Sequence, residues 1–337
     1  MSGEGLRSDR RAFGTGAILS LLAVTGARAR SVTDPRAPAD WTRAWPPKEV
    51  IRLWPGDPPG WRGGVTPVLP PDWPPSFLRS TATPTLNVFR PARPNGQALL
   101  VCPGGAYMGV SFANEGDDVA RVFNALGVTV FVLSYRLPGE GWDNRADVPL
   151  QDAQRAMRLI RAGAAAFGIR SEAVGVLGFS AGGHLAATLA TDHDQSVYAP
   201  IDAADRQSAR PAFAGLLYPV ITMFGPHVHA RSRDQLMGAQ PSEAALRRRS
   251  PELRVSAETP PCFVAHAADD TNVSVENSLG MLAALRVANV RCEGHIFETG
   301  EHAFGVGRSG KPTELWPQLF SRWMALKECS RLPRATE

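Results

Sequence analysis

Residues 173–191 read AVGVLGFSAGGHLAATLAT. An apolar, β-branched run meets a Gly-Phe-Ser-Ala-Gly pentapeptide, and an alanine-rich helical run follows. A G-x-S-x-G match alone is common by chance. Between a strand and a helix it predicts a sharp turn that lifts the Ser180 hydroxyl above the edge of a sheet. Positions two before and two after the serine must then be small, because strand and helix backbones approach closely; Gly178 and Gly182 meet that demand, and Gly183 adds room. The start of the helix also points unpaired backbone N–H groups at the hydroxyl's surroundings.

Reading outward, the chain alternates apolar strands with amphipathic helices. Strands are expected at TLNVFR (85–90), QALLVC (97–102), VTVFVLSY (128–135), FAGLLYPV (213–220), PCFVAHA (261–267) and RCEGHIFE (291–298). Helices are expected at EGDDVARVFNAL (115–126), PLQDAQRAMRLIRAGAAAF (149–167), VENSLGMLAALRVA (275–288) and LWPQLFSRWMAL (315–326). This order predicts an α/β fold whose central sheet is mostly parallel and covered on both faces. Residues 223–257 break the alternation with a polar, partly helical insertion, a candidate lid.

Hydrophobic residues make up 44% and charged residues 20% of the 337, ordinary for a globular protein with a sizeable core. The net charge of +4 is spread along the chain without a basic patch interleaved with aromatics, which argues against a nucleic-acid partner. Residues 1–29 hold Arg10-Arg11, a mildly apolar run and Ala27-Arg28-Ala29. They resemble a twin-arginine export signal, so a periplasmic or secreted protein is expected, with no stable membrane anchor after cleavage; an uncleaved N-terminus is the alternative. Residues 30–80, rich in proline and tryptophan, read as an arm wrapped on the body formed by residues 81–330. Its tryptophans are expected to pack on that body, with sugar stacking the sharper alternative. Cys102, Cys262, Cys292 and Cys329 lack metal-binding spacing; a disulfide is conceivable in an oxidising compartment, but the sequence pairs none.

A serine hydroxyl needs a base, and the base needs an orienting acid. For this kind of turn the chain order is Ser, then Asp or Glu, then His. Of the seven histidines, His302 lies in the glycine-flanked loop ETGEHAFGVG (298–307), directly after the last strand, where the base belongs. His184, inside the helix after Ser180, is expected to be structural. The acid comes from HAADDTNV (266–273). A metal set lacks partners there, and neighbouring side chains at a strand end point opposite ways, so one of Asp269 and Asp270 should face His302. Upstream, PGGAY (103–107) closes a strand with two glycines. Gly105 N–H, with Ala106 N–H as a second candidate, and Ala181 N–H would face an oxyanion formed at Ser180. No dinucleotide or P-loop signature is present.

PGGAY, QDAQRAMRLIR, GFSAGGHLAATLAT, HAADDTNVSVENS and GEHAFG together resemble the α/β-hydrolase superfamily, and within it bacterial esterases of the acetyl-xylan or feruloyl-esterase type, many labelled xylanases. The likeness runs from about residue 49 to about residue 325. It implies a serine carboxylic-ester hydrolase without cofactor or metal, acting on a small-molecule or oligosaccharide ester. It also implies Ser180 as nucleophile, Asp270 as acid, His302 as base, and Gly105, Ala106 and Ala181 as oxyanion donors. By the same spacing Asp269 is a turn or surface residue. Two positions depart from the pattern: Ala106 stands where relatives often have glycine, and Ser274 where they often have proline. A serine exopeptidase on the same fold, or a catalytically silent binding protein, are the competing readings.

Overall fold

The computed structural model describes residues 49–62, 77–78 and 81–329. The expected export signal and much of the expected arm lie outside the described residues. Among the described residues the chain forms an eight-stranded sheet, ordered β1-β3-β6-β4-β7-β8-β9-β10. The strands are β1 (Glu49–Arg52), β3 (Thr85–Phe89), β4 (Ala98–Cys102), β6 (Thr129–Ser134), β7 (Val174–Phe179), β8 (Ala214–Leu217), β9 (Cys262–Ala267) and β10 (Cys292–Phe297). A separate two-stranded pair joins β2 (Phe77–Leu78) to β5 (Val110–Ser111). From β6 to β10 neighbouring strands run parallel. The sheet departs from parallel at one edge, where β3 pairs antiparallel with β6 and β1 antiparallel with β3. Residues 49–52 of the proline-rich segment thus supply the outermost strand. Their burial alternates between half-buried and exposed, as an edge strand's should.

The helices are α1 (Asp118–Ala125), α2 (Val148–Ala162), α3 (Ser180–Thr191), α4 (Ala230–Met237), α5 (Glu243–Arg248), α6 (Glu276–Val287) and α7 (Trp316–Cys329). Strand side chains alternate between faces, and the core divides accordingly. Leu100, Phe131 and Leu133 join a layer with α2, α3 and α6, built around Met157, Ile160, Leu185 and Met281. Leu99, Val101, Val130 and Val132 face the other way, against Phe123 of α1 and Trp316, Phe320 and Trp323 of α7. Each of the fully buried side chains contributes roughly 1.5–3 kcal/mol of transfer free energy.

The segment at 49–62 is tied to this body through a buried polar cluster. Trp54 Nε1 donates to Asp152 Oδ1 at 2.8 Å. Arg136 pairs with the same carboxylate, fully buried, and its guanidinium lies 5.3 Å from the Trp54 ring and 4.8 Å from that of Trp142. The expectation that the arm's tryptophans pack on the body holds for Trp54, while Trp61 stays 44% exposed beside Trp142. Cys102 and Cys262 are buried free thiols. No helix among the described residues is long and apolar enough to cross a membrane.

Candidate active site

Ser180 stands where β7 turns into α3. Its φ of +52° is left-handed, a conformation a non-glycine residue adopts only when its surroundings force it. The forcing is steric. A Cβ on Gly178 would come within 2.2 Å of the Gly182 carbonyl oxygen, and one on Gly182 within 2.1 Å of that of Cys102. Strand, turn and helix are therefore pressed together with no room for a methyl group. Phe179, extended at φ −124°, makes no side-chain cap, so the first amides of α3, Ala181 among them, have no intrahelical acceptor. Ser180 itself is 6% exposed.

The loop after β4 faces this turn. Met108 N–H donates to Gly105 O at 2.9 Å, and Ala106 and Tyr107 both have positive φ, +51° and +59°. Residues 105–108 thus form a type I′ turn. Gly105, at φ +127°, leaves no room for a side chain: a Cβ would lie 2.2 Å from Gly109 O. Among the described residues neither Gly105 nor Ala106 has its amide in a hydrogen bond, so both remain available as donors. What holds the strained turn is His184. Its Nε2 faces the Arg249 carbonyl at 2.8 Å and its Nδ1 the Tyr107 hydroxyl at 2.7 Å. A carbonyl only accepts, so Nε2 carries the proton and Tyr107 donates to Nδ1. Burial lowers the pKa of His184 to about 4, which keeps the ring neutral and this tautomer fixed. The expected structural histidine is thus an anchor for the oxyanion turn.

Acid and base come from the far end of the sheet. His302 Nε2 lies 2.9 Å from Ser180 Oγ, and Nδ1 2.6 Å from Asp270 Oδ2. The carboxylate requires a proton on Nδ1, which leaves Nε2 free to accept from the serine. Asp270 Oδ1 accepts the amides of Asn272 and Val273, both at 2.9 Å. Burial alone would raise its pKa. Hydrogen bonds from His266 and His302 and the backbone outweigh that and hold the carboxyl well below its ordinary range. The structure therefore brings Ser180, Asp270 and His302 into one chain of contacts, beside Gly105, Ala106 and Ala181.

Four residues around this chain were not legible as parts of it. His266, on β9, donates through Nε2 to Asp270 Oδ2 at 3.0 Å and accepts at Nδ1 from Ser278 at 2.7 Å. Its place four residues before Asp270 was the one available clue. Asp269 is more than a surface turn residue: its carboxylate accepts the amides of Gly300 and Glu301 at 2.7–2.9 Å, just ahead of His302. Glu115, fully buried, accepts Gly104 N–H at 2.6 Å and the Tyr218 hydroxyl at 2.8 Å. Burial pushes its carboxyl up, partly opposed by those two bonds and by His302. Tyr218 in turn accepts Gly305 N–H at 3.1 Å, and its ring meets that of His302 edge-on at 5.0 Å. Glu115 and Tyr218 thus bridge the oxyanion loop to the histidine loop, across 103 residues of sequence.

The insertion borders the site. His229, just before α4, has its pKa lowered to about 4 by burial and by the neighbouring charges of His302 and Arg231. It bonds Ser232 at 2.7 Å.

Known proteins resemble this chain to differing degrees. A solved acetyl ester-xyloside bifunctional hydrolase from Caldicellulosiruptor lactoaceticus superposes with a TM-score of 0.70 at 32% identity, over 83% of this chain and 97% of that one. An acetylxylan esterase from Xylanibacter ruminicola is 31% identical over 240 residues, 70% of this chain and 47% of its own length. Endo-1,4-beta-xylanase B of Butyrivibrio fibrisolvens is 35% identical over 225 residues, 67% of this chain and 34% of its own. The chain thus spans less than half the length of these two curated relatives. The family profile described as BD-FAE matches residues 86–285, well over half of the sequence and the stretch that carries Ser180, Asp270 and the oxyanion loop. On an α/β-hydrolase fold, the chain belongs to the BD-FAE family.

Proposed function

We propose that the protein is a serine carboxylic-ester hydrolase that works through an acyl-enzyme, and that its substrates are short-chain acyl esters of carbohydrates, acetyl esters first. The observation that carries the reaction is the unbroken chain Ser180 Oγ, His302, Asp270 at 2.9 and 2.6 Å, next to unengaged amides on two loops. Ser180 Oγ attacks the ester carbonyl and passes its proton to His302 Nε2. Asp270 holds the ring's tautomer and stabilises the imidazolium. The carbonyl oxygen, now negative, meets Ala181 N–H from one side and Gly105 and Ala106 N–H from the other; one such donor is worth about 3–4 kcal/mol of barrier. Collapse of the tetrahedral adduct expels the alkoxide, which takes the proton from His302. Water then attacks the acyl-enzyme by the same route and releases the acid.

The carbohydrate and acetyl parts of the reading draw support from the names of two relatives, the acetylxylan esterase and the acetyl ester-xyloside bifunctional hydrolase. Export draws support from Arg10-Arg11 and the Ala27-Arg28-Ala29 pattern in the sequence. The reaction is tested by turnover of p-nitrophenyl acetate. Wild type cleaves it, and Ser180→Ala loses roughly a million-fold in kcat; turnover that survives the substitution ends the reading. Acetylated xylan, feruloyl esters and simple acetates, compared at equal concentration, test the alcohol; release from simple acetates alone removes the carbohydrate part. Sequencing the mature N-terminus of the expressed protein tests export: an intact Met1 in a cytoplasmic fraction overturns it.

A further inference from the structure

Beside the oxyanion turn lies a cleft of about 560 Å³, lined by Met108, Arg145, Arg233, Asp234, Gln235 and Gly238 among others. Its nearness to the chemistry follows from the turn itself. Met108 closes the hydrogen-bonded turn that starts at Gly105, so the two Cα atoms are within about 7 Å. Helix α4 of the insertion lines it as well, through Arg233, Asp234 and Gln235. One end of α4 begins beside His229, in the field of His302, and the other reaches Arg145.

Arg145 is the unusual group here. Its near neighbours in sequence, Asp143 and Asp147, are already paired with Arg62 and Arg249. Its own guanidinium has no carboxylate partner among the described residues. Nη2 donates to the Gln235 carbonyl at 2.5 Å, a favourable place for a cation at the end of α4. That contact uses one of five donors. Nε is buried without a partner, and Nη1 faces Gly238 across the cleft wall, 3.5 Å from where a Cβ would sit. Arg233 brings a second cation, balanced by Asp234 at 2.8 Å. Among the described residues the cleft lining therefore carries two guanidinium groups, Arg145 and Arg233, against one carboxylate, Asp234. Partly desolvated cations of this kind are stabilised by an anion that completes their hydrogen bonds.

We propose that this cleft is an anion subsite of the esterase, and that it takes a carboxylate carried by the ester substrate. The proposal rests on the esterase reading above. The carboxylate has two chemical sources, a uronic-acid sugar on the alcohol side or a dicarboxylic half-ester on the acyl side, and two pairs of substrates separate them. The first pair is an O-acetylated methyl glucuronoside with its free C6 carboxylate and the C6 carboxamide. The second is p-nitrophenyl hydrogen succinate and the corresponding succinamate. The proposal expects one pair to show kcat/KM about tenfold higher for the charged member at low salt, carried by KM, as for a charged hydrogen bond at a partly exposed site. Arg145→Gln removes that preference and Arg145→Lys retains most of it. Arg286→Gln, an equal change of charge on the exposed face of α6, leaves it in place.

Equal kcat/KM within both pairs, or a preference that survives in Arg145→Gln, overturns the proposal while Ser180-dependent turnover of the neutral members leaves the esterase reading standing. Absence of all turnover ends the esterase reading instead. Calorimetric titration of Ser180→Ala protein with glucuronate and with succinate then decides the subsite: saturable binding of either, weakened about tenfold in Arg145→Gln, supports it, and no binding of either overturns it.

Discussion

The two halves of the active site are held in shape by different physics. The nucleophile half, Gly178 to Gly182 with the turn at 105–108, is clamped mainly by backbone contact: absent side chains let strand, turn and helix close to distances a methyl group forbids, with His184 as one side-chain brace on the turn. The acid–base half has strained backbone too, with Glu301 at φ +57° and Ala303 at +56° on either side of His302. There the strain is maintained by hydrogen-bonding side chains, two from distant segments and two from the stretch that follows. Asp269 accepts Gly300 and Glu301 N–H, Asn114 donates to Ala303 O, Arg308 donates to His302 O, and Trp316 donates to Gly305 O. A steric clamp is local and fails outright when filled. A net of hydrogen bonds is distributed and fails by degrees.

After the loss of Ser180 itself, the largest expected effect falls on the acid that orients His302. Asp270→Asn should leave the fold intact and lower kcat for p-nitrophenyl acetate by roughly 10⁴-fold, because an amide no longer selects the Nδ1–H tautomer of His302. A loss below tenfold would show that His266 and the loop orient the ring without the carboxylate. Next comes the clamp. Gly182→Ala places a methyl against the Cys102 and Pro103 carbonyls, and overpacking against backbone costs several kcal/mol. The variant should be insoluble or melt well below wild type in a thermal scan; an unchanged melting temperature would break the contrast.

The distributed half predicts a graded response. Asp269→Ala frees two amides ahead of His302 and should lower kcat by about ten- to a hundredfold, through misplacement of the base, with KM and melting temperature little changed. No change in kcat would return Asp269 to the role of a surface residue. The smallest effect is a pH dependence of stability. His184 titrates near 4 in the folded protein and near 6.5 when unfolded. Between those values the unfolded chain binds the extra proton, so stability falls as pH is lowered from about 6.5 towards 4 and is fully present above 6.5. Denaturant melts at pH 7 and 5 should show the loss, and His184→Gln, which keeps a polar bridge to Tyr107 without titrating, should flatten it. His229, lowered for similar reasons, adds to the slope, so an equal slope in both proteins would assign it there.

What was legible in the sequence follows the same division. Ser180, with glycines at minus two and plus two, announces itself because steric demands act between neighbours in sequence. Strands and helices were legible through their periods, 2 and 3.6. The choice of Asp270 over Asp269 and of His302 over six other histidines needed family likeness as well as spacing. Glu115 and Tyr218 carried no signal, since they act on each other across 103 residues and a lone glutamate in a helix looks like a solvated one. The antiparallel edge was hidden too, because β1 lies among prolines and pairs with a strand more than thirty residues on.

By itself the sequence determined the class of fold, the strand–turn–helix at Ser180 and the order of the reactive residues, all properties of short-range pattern. Only the tertiary structure decided which carboxylate faces the base and which braces its loop. It alone set His184 to anchor the oxyanion turn, and left Arg145 without a carboxylate partner among the described residues. Those outcomes depend on distances between segments far apart in the chain, which burial of the two apolar layers sets.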